Sequence, residues 1–263
     1  MRMKTLLIVL LALAAGGAQA VQCSAHSPAT TTALVELYTS EGCDSCPPAD
    51  RWLSSLGAKG YAPDRVVPIA LHVDYWDYIG WKDPYARQAF STRQRKMAAL
   101  ARAAFVYTPQ VLLQGHDFRD WRDGSGPGTA LARQVARINA QPARARIALA
   151  LDTGRKDAFE ADATVELLQG TAPADLALYL GAYENKLVSA VRAGENRGRT
   201  LEHDYVVLQW TGPFEFKAAK LAERQRLPLL PGAVPANSGV VAFVQNKANG
   251  EILQALMLPA CPG

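Results

Sequence analysis

Two cysteines three residues apart, Cys43 and Cys46, stand where a β-favouring run hands over to an amphipathic one, in the stretch VELYTSEGCDSCPPADRWLSSL from Val35 to Leu56. Thiols at this C-x-x-C spacing, in a strand-to-helix turn, can close and reopen a disulfide without moving the backbone. Pro48 clashes with the carbonyl four residues earlier unless it lies in the first helical turn. Regular helix is therefore expected no earlier than Ser45 or Cys46, which leaves Cys43 in the entry turn. Ala49, Trp52, Leu53 and Leu56 then recur at three and four residues, the inner face of a short helix ending near Gly57.

The first twenty residues combine a basic head (Arg2, Lys4), an apolar run from Leu6 to Ala15 and a small-x-small end at Ala18 to Ala20. They read as a secretory signal peptide, residues 1–20, with an apolar core too short to span a bilayer. Nothing later offers a second long apolar run, so the expected protein is exported to the periplasm or secreted, with no stable membrane insertion. Gln22 before Cys23, where a small residue would be wanted, argues against lipidation. The formal charge of +4, from 28 basic and 24 acidic residues, includes Arg2 and Lys4 of the leader. Arg87, Arg93, Arg95 and Lys96 make one helix locally basic, but no basic face with interleaved aromatics stands out, and nucleic acid is not an expected partner.

All four cysteines (Cys23, Cys43, Cys46, Cys261) lie beyond the leader, and export places them where disulfides persist. Of the three possible pairings, spacing favours Cys43–Cys46 with Cys23–Cys261. The second pair is expected to be a structural disulfide that ties the chain ends, with a loop-closure term of up to about 5 kcal/mol in the chain-entropy model.

Residues 33–39 (ALVELYT) and 66–73 (VVPIALHV) read as strands. The second runs into a segment, His72 to Tyr85, dense in aromatics and carboxylates. It is read as a rim beside a site, with Trp76 a candidate substrate contact, or as rings (Tyr75, Trp76, Tyr78, Trp81) capping the core. Residues 85–104 carry the longest helical pattern, and 128–140 a further one with Leu131, Val135 and Ile138 inside. Between them Thr108-Pro109 precedes an apolar run, and that proline can start the strand or take the cis form. From about Arg144 the pattern turns to strands at 146–151, 160–168, 176–183, 204–210, 239–245 and 251–258, with 214–226 ambiguous between strand and helix. The expected organisation is an α/β domain over 21–143 and a mostly antiparallel β domain over 144–263.

A C-x-x-C after a central strand and a Thr-Pro step before a later one occur here in the order of the thioredoxin fold, and residues 31–141 resemble a thioredoxin-like domain. More narrowly, VELYTSEGCDSCPPAD, LHVDYWDYIGWKDP, TPQVLLQG and GENRGRTLEHDYVV together resemble an uncharacterised family of secreted bacterial thioredoxin-like proteins that carry a domain of unknown function. The resemblance implies Cys43 as the attacking thiol, Cys46 as the resolving one, and Pro109 as a cis-proline facing the pair. It also implies that the Thr108 backbone bonds to a bound peptide. Gly42 stands where ordinary thioredoxins carry Trp, and Pro47-Pro48 is unusual for that superfamily.

The expected activity is that of an exported thiol–disulfide oxidoreductase, reductase or isomerase-like. Its substrates would be protein thiols or disulfides, its redox partner is not named by the sequence, and it needs no cofactor. Amides at the helix start favour a thiolate at Cys43, while Asp44 and Glu41 oppose it, which argues against a strong oxidase. Asp74, near the end of the second strand, is the candidate general base for Cys46, set against a helix cap or a salt bridge to Arg87 or Lys82.

Two readings from other classes stand beside it. Cys43, Cys46 and His72 offer two soft ligands and an imidazole to Cu(I) or Zn, as in a metal-binding or chaperone protein, whereas His26, His116 and His203 have no ligand-like spacing. The other is a non-catalytic binding protein with an inert disulfide. There Gly194 to Asp204 either holds an anionic or peptide partner through Arg197 and Arg199 or is simply a β-hairpin connection. Serine-hydrolase, phosphate-loop and dinucleotide signatures are absent.

Overall fold

The computed structural model describes residues 22–155, 157–168 and 171–261, so the leader lies outside it. In chain order the elements are β1 (Gln22–His26), β2 (Ala33–Thr39), α1 (Pro47–Ser54), β3 (Val66–His72), α2 (Gln88–Leu100), β4 (Gln110–Leu113), β5 (His116–Asp117) and α3 (Ala130–Asn139). There follow β6 (Ala145–Asp152), β7 (Ala158–Leu167), β8 (Leu176–Glu184), β9 (Leu187–Ala190), β10 (Thr200–His203), β11 (Val206–Glu215), β12 (Lys220–Pro228), β13 (Ser238–Asn246) and β14 (Ile252–Pro259). The protein is a mixed α/β structure, mostly β.

An eight-stranded sheet in the order β14-β13-β8-β11-β3-β2-β4-β5 forms its frame. β3 runs parallel to both β2 and β11, and the other neighbours are antiparallel. β2, β3 and β8 are buried along their whole length, as strands covered on both faces must be. On one face Val35, Leu37 and Val206 meet Trp52 and Leu53 of α1 and Leu131, Val135 and Ile138 of α3. Further along that face Leu178, Leu180 and Ala242 pack on Ile147, Phe159 and Val165 of a second sheet, ordered β1-β6-β7-β12. The opposite face sends Ile69, Leu71 and Phe243 against Phe90 and Met97 of α2.

The expected division at 143/144 runs through a shared sheet. β8, β11, β13 and β14, all from beyond that point, extend the sheet begun by β2, β3 and β4, and β11 pairs directly with β3. What changes near Arg144 is that the chain re-enters the second sheet, already begun by β1, through β6 and β7, and β6 alternates buried with more exposed residues. Periodicity reports which faces a strand buries and is silent about which edge it joins. The ambiguous stretch 214–226 resolves as the end of β11 and as β12, which pairs with β7 from Lys220 to Pro228. Cys23 on β1 and Cys261 after β14 form a disulfide with their Cα atoms 5.5 Å apart.

Candidate functional site

The turn leaving β2 carries the cysteine pair. α1 begins at Pro47 with Cys46 as its N-cap, as the prolines require, because an amide hydrogen in the first helical turn has no intrahelical partner to lose. Cys43 and Cys46 are joined as a disulfide across a Cα separation of 5.5 Å. The turn is closed by two amide bonds of 3.2 Å, from Cys43 to the Ser40 carbonyl and from Cys46 to the Cys43 carbonyl. Neither cysteine reaches solvent: Cys43 is 1% exposed and Cys46 0%.

β4 brings the next part of the site. Gln110 lies opposite Tyr38 in the antiparallel β2–β4 ladder, so the cis Thr108–Pro109 peptide falls beside the departing turn. Trp76 bridges the two, because its indole N–H donates to Thr108 Oγ1 at 2.7 Å and its Cβ lies 3.1 Å from where a Cβ on Gly42 would stand. That approach gives glycine at 42 a steric reason. Cys43, Cys46, Trp76, Thr108 and Pro109 thus share one locality. Asp74 is engaged on the other flank, where its carboxylate accepts from the Ser91 hydroxyl of α2 and its amide donates to the same oxygen at 3.1 Å.

Several residues at the site have no advance signal beyond their charge. Glu41 is fully buried and works as a hub: its carboxylate accepts from Trp81 Nε1 at 2.7 Å and lies 3.2 Å from His203 Nε2. Its amide donates to Asp83 Oδ2 at 2.9 Å, and the same oxygen stands 2.7 Å from His72 Nδ1. The His72 ring meets Tyr85 and His203 edge-on, at centroid distances of 5.4 and 4.9 Å. Asp50, one helical turn after Cys46, reaches to 3.9 Å from His203 Nδ1.

Burial alone would depress the His72 pKa, but Asp83, helped by Asp50 and Glu41, outweighs it and leaves the imidazole above its ordinary value. For Asp83 burial opposes ionisation, and His72 with the Glu41 and Tyr85 amides carries the carboxyl below its ordinary value instead. Asp50 is pushed up by burial, which the charges of His203 and His72 only partly offset.

The pair makes stability pH-dependent in a defined sense. The raised His72 contributes fully below the free imidazole value of about 6.5, and its share fades as pH rises through the folded pKa. The lowered Asp83 contributes above about pH 3.9 and loses its share as pH falls through the folded pKa. Asp83→Asn is therefore expected to lower the urea midpoint more at about pH 5.5 than at about pH 8.5, and equal losses at both would count against the ion pair.

A hairpin covers all of this. β9 and β10 form their own two-stranded sheet, and the connection between them, residues 191–199, folds over the cysteine turn. Asn196 is fully buried and donates through Nδ2 to the carbonyls of Glu41 at 2.9 Å and Cys43 at 2.8 Å. Glu195 accepts from the Asp44 amide at 3.0 Å. Arg199, read in the sequence as a possible partner contact, instead donates to Asn196 Oδ1 at 2.9 Å and so orients that amide. The segment is a hairpin connection held against the cysteine turn by Glu195 and Asn196.

Among the described residues no three His, Cys, Asp or Glu side chains form a group that could hold a metal ion, so Cys43, Cys46 and His72 are not assembled as a ligand set in the oxidised protein. No helix among them is long and apolar enough to cross a membrane.

Fold and site together define a mostly β, mixed α/β protein with a buried disulfide at the start of its first helix. The chain belongs to the family described as "Protein of unknown function (DUF1223)", whose profile matches residues 34–245. A search of curated proteins gave no match. Among solved structures it is similar to a protein from Agrobacterium tumefaciens, at 24% identity and a TM-score of 0.57, covering 88% of this chain and 96% of that one. It is also similar to HBP35 of Porphyromonas gingivalis, at 15% identity and a TM-score of 0.63, covering 89% of this chain and 76% of that one. At such identities the likeness is one of fold.

Proposed function

We propose that the protein is an exported thiol–disulfide oxidoreductase of thioredoxin-like build, acting as a reductase or isomerase through Cys43 and Cys46. The observation that supports this most is one coincidence of geometry. A closed C-x-x-C pair at the start of a helix, after a central parallel strand, lies beside a cis Thr-Pro peptide on the adjoining strand. The sequence leader supplies the argument for export.

In the forward direction the Cys43 thiolate attacks a substrate disulfide and expels one substrate thiolate. Cys46 then attacks Cys43 Sγ, releasing the second substrate thiolate and closing the pair. Two electrons pass to the substrate, and its two thiolates take up the two protons lost by the cysteines.

The direction of electron flow follows from local chemistry. Pro47 and Pro48 remove two amide hydrogens from the helix start, and the next two amides, of Ala49 and Asp50, already donate to the Cys46 carbonyl. A Cys43 thiolate keeps the Ser45 hydroxyl, 3.3 Å from its Sγ, but is left without the free helix-start amides that make some C-x-x-C proteins strong oxidants. The expected reduction potential is thus nearer the thioredoxin value of about −270 mV than the DsbA value of about −120 mV.

The test is trapping. Cys46→Ala is expected to accumulate a reductant-sensitive mixed disulfide with a substrate protein, Cys43→Ala is expected to accumulate none, and the reduced wild type is expected to reduce insulin. Failure to trap a partner together with failure to reduce insulin would sink the proposal. A second reading, a binding protein with an inert disulfide, draws on the burial of both cysteines. It requires the pair to resist reduction in the native protein.

A further inference from the structure

We infer that the tip of the β9–β10 hairpin is a latch that occupies the surface a polypeptide partner must use to reach the Cys43–Cys46 disulfide. The kind of partner rests on the oxidoreductase reading; the latch itself can be measured without any enzymatic activity.

Main-chain groups at the rim of a reactive site are what a bound peptide pairs with. Here three of them are already taken. The Glu41 and Cys43 carbonyls accept from Asn196, and the Asp44 amide donates to Glu195. A loop that presents a side-chain amide beside a carboxylate reproduces this set, and that is the partner chemistry the surface fits.

The stem is fixed and the tip is separately held. Leu187 to Ala190 pairs with Thr200 to His203, and the two turns joining the stem to the large sheet lock one another. The Lys186 amide donates to Asp204 at 2.9 Å and the Tyr205 amide to Asn185 at 2.8 Å. Within the tip, Val191 donates to the Arg199 carbonyl at 3.0 Å and Gly198 to the Val191 carbonyl at 2.9 Å, so the tip is preformed. Its hold on the cysteine turn comes from Glu195 and Asn196, and Gly194 seats it against Ile79 and Trp81. Gly194 has φ +74°, and a Cβ there would stand 3.0 Å from Ile79 Cδ1.

The measurement is the rate at which dithiothreitol reduces Cys43–Cys46 in the native, full-length oxidised protein. One dithiothreitol thiolate attacks a cysteine sulfur and expels the other as thiolate; the second dithiothreitol thiolate then attacks the mixed disulfide, closes the cyclic disulfide and expels the first cysteine as thiolate. Two electrons and two protons pass to the cysteines. Quenching with maleimide and mass analysis of peptides separates this pair from Cys23–Cys261.

Asn196→Ala removes two buried hydrogen bonds and is expected to accelerate reduction about tenfold or more. Gly194→Ala keeps Asn196 but strains the seat of the tip, and a smaller acceleration is expected. Val240→Ala, in the core between the two sheets, weakens the fold without touching the hairpin and is expected to leave the rate unchanged.

Reduction of both Asn196→Ala and Gly194→Ala at the wild-type rate overturns the latch, as does equal acceleration by Val240→Ala. If Asn196→Ala does not fold, Gly194→Ala decides alone. Faster reduction in the latch variants with no trapped mixed disulfide and no insulin activity in any form keeps the latch and removes the oxidoreductase reading. Insulin activity with an unchanged Asn196→Ala rate does the reverse.

Discussion

Arg93→Ala is expected to cost about 3–5 kcal/mol of stability, a drop in Tm of about 10 °C for a chain of this size. Arg93 projects from α2 onto the large sheet. It donates from Nε to Glu36 Oε2 at 2.7 Å and from Nη2 to Oε1 at 3.0 Å, with a third bond of 2.9 Å to Gln245. The guanidinium also sits 5.4, 5.2 and 5.0 Å from the ring centroids of Tyr179, Trp210 and Phe243, so it fastens the helix to β2, β8, β11 and β13 at once. Burial alone would favour a neutral guanidine, and the charge of Glu36 more than reverses this.

Removing Arg93 leaves Glu36, which is 0% exposed, as an uncompensated charge inside the protein. The design of the test follows from that asymmetry. Glu36→Leu combined with Arg93→Met removes both charges and is expected to recover most of the loss, because a buried pair is stabilising mainly relative to half of itself. A double variant no better than Arg93→Ala by urea unfolding would assign the loss to packing on the three rings.

Opening Cys23–Cys261 should have an effect of similar size. The bridge spans a sequence separation of 238 residues, for which the chain-entropy treatment gives about 5 kcal/mol. In the folded state the bonded ends are already adjacent, since β1 pairs with β6 and β14 packs beside them. The loss should therefore arise in the unfolded chain, with few contacts changed in the native one. Cys23→Ser with Cys261→Ser is expected to unfold at clearly lower urea, and wild type held in reductant, which opens Cys43–Cys46 as well, should fall at least as far. A double variant indistinguishable from oxidised wild type would show that the unfolded ends are restrained by other means.

Much of the local structure could be read from residues alone, because its causes are local. The prolines after Cys46 set the start of α1, the apolar runs set β2 and β3, and spacing pointed to the cysteine pairings. The long-range structure has no such marker. Asn196 is 153 residues from Cys43 and sits in a glycine-rich stretch that looks like any surface turn. Glu41 reads as an acid opposing a thiolate, yet it is buried and holds Trp81, His203, Asp83 and Asn196 in place. Arg93 reads as one charge of a basic helix face, and only the sheet beneath it gives it a partner in Glu36. The sheet order was hidden for the same reason, since nothing in the sequence of β11 distinguishes the edge of β3 from any other.

The hairpin leaves the sheet between two strands that are already neighbours: β8 ends at Glu184, β11 begins at Val206, and these two residues are paired. The ladder is thus complete behind the excursion, and the frame asks nothing of what lies between. Frame and cover are separable parts of one chain. A change within residues 187–203 can retune access to the sulfurs without disturbing a single register of the large sheet.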